Sequence, residues 1–234
     1  MELAKFARRA VIVGGTAAMI ALALLAGCGD DKPSDSGTVA APSRGTPDSL
    51  LTSWLVNAHS KKDSGAYDAA LDSEFTFEFL SEVSDAICQA RPLACDFKPL
   101  QFFRRTNDLR SVGRMFLRTD IGTIRLQIST QPDVEYTGSD CIGCRELDAN
   151  IMLEVTIDPT APDPLVVTVN SPQFFIVKPD PADPEQWVLF RQIDMPPPSA
   201  KRGGAAQPAS VEASSWSRVK AYFGGYLDSP VGEL

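Results

Sequence analysis

The chain of 234 residues predicts an α+β fold in which helical patterns come first and strand patterns follow. Apolar residues recur three and four apart through Leu50, Leu51, Trp54, Leu55 and Ala58, then at every second position through Phe75, Phe77 and Phe79. Beyond residue 120 the period stays close to two, and Pro and Asp collect in the breaks, as hairpin connections require. Helices followed by an antiparallel meander bury their apolar sides best as N-terminal helices packed on one side of a curved antiparallel sheet.

The first helix opens with Thr46 as N-cap, Pro47 in the first turn and Asp48 at the positive end of the dipole, and Lys61-Lys62 close it. A short second helix, capped near Asp63 or Ser64, offers Tyr67, Ala70 and Leu71 to the core. The Phe75, Phe77, Phe79 alternation is a half-buried strand. Pro99 is expected to open a third helix with Phe102, Thr106, Leu109, Val112 and Phe116 on its apolar side. Arg104, Arg105, Arg110 and Arg114 fall on the other side and read as a solvated face. Strands then alternate through Ile124, Leu126 and Ile128, through Ile151 to Ile157, and from Leu165 onward, where Pro172 is expected to force a bulge or bend. Trp187 to Ile193 makes the last strand of a domain covering residues 48–195. Residues 196–210 are a linker, and residues 211–225 an amphipathic helix with Trp216, Val219, Tyr222 and Phe223 on one face. Such a face needs a partner, and docking back on the domain is expected.

The N-terminus has a different character. Lys5, Arg8 and Arg9 precede an uncharged run that ends at Leu25-Ala26-Gly27-Cys28, a pattern of export signals. The run is barely long enough to span a bilayer, and its glycines and alanines dilute it. Leu25-Ala26-Gly27-Cys28 resembles the bacterial lipobox, whose cysteine receives a diacylglyceryl thioether and becomes the acylated first residue. The resemblance implies that residues 1–27 are a signal peptide and that Cys28 is the lipid attachment site in the cell envelope. Two or more acyl chains anchor a protein stably where one does not. Gly29, not Asp, follows the cysteine, which by the enterobacterial pattern favours the outer membrane over the inner. Residues 28–47 are rich in Gly, Ser, Asp, Pro and Thr and form a disordered tether with a root-mean-square reach of about 25 Å.

With Cys28 assigned to lipid, Cys88, Cys95, Cys141 and Cys144 remain, and three pairings exist in a compartment where disulfides persist. Short loop closure favours Cys88 with Cys95 and Cys141 with Cys144. The spacing of Cys141-Ile142-Gly143-Cys144 also suits a redox pair or half of a four-thiolate zinc site. It follows a loop-like stretch rather than opening a helix, so a structural role is preferred. No metal, cofactor or catalytic set is predicted. The net charge of -8 argues against nucleic acid or an anionic membrane face as a partner.

The order of elements resembles the nuclear transport factor two-like superfamily, which includes ketosteroid isomerase and SnoaL-like proteins. The segments that carry the resemblance are Lys62-Asp63 to Leu71-Asp72, Phe75-Thr76-Phe77, Arg114-Met115-Phe116 and the strand from Trp187, with Trp216 in a C-terminal helix as in similar lipoproteins. The resemblance implies a cone-like sheet with a pocket between its concave face and the helices, and homodimers in many relatives. Isomerases of this kind need a carboxylate base and a Tyr or protonated acid to hold an enolate oxygen. Tyr67, Glu78 and Asp194 are the right residue types, but no spacing singles them out, and each reads as a rim or exposed strand residue. His59, the only histidine, stands four residues before Asp63 and reads as a solvated helix residue. The expectation is a lipid-anchored, non-catalytic binding or assembly module for a small apolar ligand or a protein partner. The alternatives are a SnoaL-like isomerase or dehydratase and a structural dimerising envelope protein.

Overall fold

The computed structural model describes residues 42–95, 100–196 and 211–231. Cys28, the tether up to residue 41 and most of the second linker lie outside the described residues.

Helix α1 covers residues 47–60, with an α-helical first turn Pro47–Ser49, a π-helical stretch Leu50–Leu55 and an α-helical end Val56–Ser60. Thr46 and Ser49 cap each other's backbone, which fixes the start of this helix against solvent. The chain joins the domain slightly earlier, because the Arg44 carbonyl accepts from the Trp187 N–H and the Arg44 guanidinium pairs with Asp180 over the Trp54 ring. Helix α2 is Ser64–Ala69, with Asp63 as N-cap. Strand β1, Leu71–Glu78, buries Phe75 and Phe77 on one side. Helices α3, Ser81–Ala90, and α4, Pro92–Cys95, are joined by the Cys88–Cys95 disulfide.

The region expected to be one helix from Pro99 divides in two. Phe102–Arg104 forms strand β2 on the edge of the sheet, and helix α5 runs over Arg105–Leu117. Its buried face is Asp108, Ser111, Val112, Met115 and Phe116, rotated from the predicted one because Phe102 belongs to the strand. Strands β3 (Ile121–Thr130), β4 (Val134–Glu135), β5 (Arg145–Ile157), β6 (Leu165–Asp180) and β7 (Asp183–Asp194) follow. The second linker leads into a strand the sequence did not suggest, β8, Val211–Ser214, before helix α6, Trp216–Gly224. Ser215 caps α6, and Gly225 closes it at φ 83, a left-handed conformation that glycine adopts without strain.

The sheet runs β2-β1-β7-β6-β5-β3, with β4 added to β5 and β8 lying parallel beside β6. All other neighbours are antiparallel except β1 with β7. The expected cone is corrected: the sheet is open, and among the described residues no ladder joins β2 to β3. Register shifts occur in the β6–β7, β1–β7 and β3–β5 ladders, whereas β5 and β6 pair from Arg145 with Val177 to Ile157 with Leu165 without one. Pro172 causes no bulge either. Its carbonyl accepts from the Met195 N–H at 3.2 Å, so its missing N–H points into the gap between the β7 and β8 ladders, where none is required.

One core fills the space between the helices and the facing side of the sheet. Leu50, Leu51, Leu55, Val112, Met115, Trp216, Val219 and Phe223 meet Phe75, Phe77, Leu153, Val155, Val167 and Phe175 there. Each such side chain contributes about 1.5–3 kcal/mol by leaving water. Helix α6 therefore docks on the domain. A smaller cluster on the opposite face joins Ile176 and Phe190 to Cys141 and Cys144, which a disulfide links.

Candidate functional site

The chemistry-bearing side chains converge where α6 meets the sheet. Lys220 reaches inward from α6 in an apolar stripe with Trp216, Val219 and Phe223, and its ammonium is paired with Asp108 of α5. Both groups are essentially inaccessible, at 2% and 0% side-chain exposure. The Tyr67 hydroxyl donates to the other Asp108 oxygen at 2.7 Å, and Lys220 Nζ stands 3.4 Å from that hydroxyl and 3.4 Å from Gln192 Oε1. The ammonium also lies 4.1 Å from the centre of the Phe77 ring, a cation–π contact strengthened by the lack of water.

A chain of amides continues from Lys220 across the sheet. Gln192 Nε2 donates to Gln173 Oε1 at 3.2 Å, and Gln173 Nε2 donates to the Asp194 carboxyl and to Ser171 Oγ. Asp194 in turn accepts from the Ser217 N–H at 2.7 Å, and Ser217 Oγ accepts from the Leu80 N–H. Thus α6 is fastened by polar bonds as well as by its apolar face.

His59 lies beside this cluster and is 1% exposed, not solvated. Tyr67, Phe116 and Trp216 close around the ring at centroid distances of 5.2, 5.3 and 5.7 Å. Asp63 is spent on capping α2 and does not meet it. His59 Nδ1 bonds the Leu55 carbonyl at 2.8 Å, whereas its Nε2 and the nearby Trp216 Nε1 are buried without a partner. Desolvation lowers the His59 pKa to about 4, against the Leu55 bond, which raises it, and with a smaller contribution from the Lys220 charge. The ring is neutral at pH 7, with its proton on Nδ1 and a lone pair on Nε2.

Desolvation likewise raises Tyr67 well above its ordinary pKa, helped by Asp108, and lowers Lys220 against the attraction of Asp108. Burial raises Asp194 against its bonds to Ser217, Gln173 and Ser171. Tyr67 and Asp194 are thus inside the molecule and not on a rim, while Glu78 remains half-buried, 3.4 Å from Arg191. Asp108 and Lys220 escaped the sequence reading. The available signal was a lysine inside an otherwise apolar helical stripe.

The gap bounded by Ser111, Val112, Met115, Trp216, Val219 and Phe223 has no room for a water molecule. Open hollows lie elsewhere. One, of about 510 Å³, crosses the outer face of the sheet along the row Ser129, Asn150, Pro172 and Met195, with Asp148 and Gln173 at its border. A second, of about 380 Å³, is bounded by Arg114, Leu117, Arg118, Tyr222, Phe223 and Gly225 where α5 and α6 meet. Among the described residues no cluster of His, Cys, Asp and Glu suits a metal ion.

No family model and no curated protein matches the chain. Similar solved structures include a conserved protein from Planctomyces limnophilus, at 12% identity over 61% of this chain and 89% of that one, with a TM-score of 0.43. A nuclear transport factor 2-like superfamily protein from Salmonella enterica matches at 8% identity over 65% and 90%, with a TM-score of 0.41. A ketosteroid isomerase-like protein from Erwinia carotovora atroseptica matches at 11% over 62% and 90%, with a TM-score of 0.37. These are likenesses at low identity, and no activity is carried over from them.

Proposed function

We propose that this protein is a cell-envelope module, anchored through lipidated Cys28, that binds a small apolar ligand on the outer face of its sheet and carries out no chemistry. One observation supports this most: the interior position is taken by the chain's own Lys220 and Trp216, sealed from solvent, whereas the hollow over Asn150, Pro172 and Met195 is open. That hollow offers proline and thioether surface beside amide and hydroxyl groups and the exposed Asp148 carboxylate. It suits a molecule with an apolar body and one or two hydrogen-bond donors. Native mass spectrometry of the full chain purified from its own envelope tests the reading. A retained small molecule that is lost in Met195→Asp is the expected result. Retention undiminished in that variant defeats the assignment.

A second reading has its own support in the interior cluster. His59 Nε2 is a buried, unpartnered base close to a Tyr67–Asp108 pair, and strongly perturbed groups gather at functional sites. If α6 moved aside, His59 could take a proton from carbon while Tyr67 held the oxygen of the resulting enolate. Deuterium exchange at the α-carbon of a small cyclic enone, catalysed by the wild type and not by His59→Phe, would establish this enzyme reading. Equal rates with and without protein would remove it.

A further inference from the structure

Ion pairing of the arginines is uneven. Arg44, Arg91, Arg105, Arg118, Arg125, Arg145 and Arg191 each meet a carboxylate. Among the described residues, Arg104, Arg110, Arg114 and Arg218 have none; Arg110 and Arg114 are exposed on α5, Arg104 is exposed in β2, and Arg218 is half-buried on α6. The chain as a whole carries -8, which weighs against an anionic partner in general, but Arg110 and Arg114 make a local cationic patch on α5.

Helical spacing brings Arg110, Arg114 and Leu117 to one side of α5, with Gly113 between them and open space where its side chain would be. Leu117 is 80% exposed, which is unusual for a leucine beside a ready-made apolar wall. That wall is the 380 Å³ hollow, in which Tyr222 and Phe223 of α6 lie below the arginines. Arg118 is already held by Asp120 and the Tyr222 hydroxyl, and Arg114 spends one N–H on the Gly224 carbonyl. Arg110 keeps its guanidinium free for a partner. The stripe from Arg110 to Leu117 is about 10 Å long, the scale of a few lipid headgroups.

We infer that this α5 face rests on an anionic phospholipid surface, with Arg110 and Arg114 at the phosphate level and Leu117 entering the acyl boundary. Cations flanking an exposed aliphatic and a tyrosine are the chemistry of an interfacial contact. Nucleic acid would present phosphate without an apolar layer for Leu117. The choice of a membrane as occupant rests on the proposed envelope tether. Domain and membrane are then joined twice, by the Cys28 lipid and by a reversible electrostatic footing.

The test uses the full chain in phosphatidylcholine vesicles with and without phosphatidylglycerol, and follows phenylglyoxal modification of each arginine by peptide mass spectrometry. Arg110 is expected to react about fivefold more slowly when phosphatidylglycerol is present, and the difference should vanish at high salt. Arg125, which is 71% exposed on the sheet, serves as the internal control and should not change. Leu117→Ser should reduce the protection without altering the fold, since its side chain has almost no neighbours to lose. Equal Arg110 rates in the two vesicles overturn the inference. Equal slowing in both also overturns it, because then the anionic headgroup is not what is recognised. The mass of the N-terminal peptide from the same digest reports the lipid on Cys28 separately, so failure of the tether and failure of the footing are distinguishable.

Discussion

Lys220 carries an ammonium into a space with no water, and Asp108, Tyr67, Gln192 and the Phe77 ring are what make that tolerable. Breaking such a pair leaves a buried charge unmatched, whereas replacing both partners with apolar groups removes the desolvation cost as well. Lys220→Met is therefore expected to lower unfolding stability by about 3–5 kcal/mol in urea titrations. The double variant Lys220→Met with Asp108→Leu should recover most of that loss. His59 gives a pH signature with a definite sign. Its folded pKa of about 4 lies below the unfolded value of 6.5, so the unfolded chain takes up the proton first as pH falls. Stability contributed by neutral His59 is complete above pH 6.5 and declines by about 3 kcal/mol down to pH 4. Asp194, with its raised pKa, acts in the opposite direction over part of this range. The comparison that isolates the histidine is wild type against His59→Phe at pH 7.5 and pH 4.5, with the gap between them narrowing at the lower pH.

At the scale of elements, α6 is integral rather than appended. Its Trp216, Val219 and Phe223 fill the core, its Ser217 N–H bonds Asp194 at 2.7 Å, and Ser111 Oγ donates to the Lys220 carbonyl. Deleting residues 199–234 would leave Asp108, Asp194 and Gln192 facing an emptied core. Loss of the cooperative thermal transition by circular dichroism is expected, and an unchanged melt would show that α6 contributes little. The disulfides act on shorter range. Cys88–Cys95 ties α3 to α4, and closing so small a loop removes chain entropy from the unfolded state worth about 2.5 kcal/mol. The paired replacement of both residues by Ser should lower unfolding stability by about that amount, measured against the oxidised wild type.

For the whole molecule, helices cover one face of an open sheet, and among the described residues the Cys141–Cys144 cluster covers part of the other. Cys28→Ser is expected to move the protein from the membrane pellet to the soluble fraction if the signal is still cleaved, with the N-terminus read by mass spectrometry. Much of this organisation was legible in the chain itself. The Thr46 cap, the Asp63 cap, the Phe75 and Phe77 alternation and the short-range cysteine pairing depend on neighbours within a few residues, where local stereochemistry decides the outcome. What only the tertiary structure decided were the burial of His59, the pairing of Lys220 with Asp108 across 112 residues, the parallel docking of β8 on β6, and the open rather than cone-like sheet. These depend on which surfaces meet. A lysine in an apolar stripe has the same local pattern whether it lies over solvent or over a carboxylate, and only packing brings the carboxylate to it.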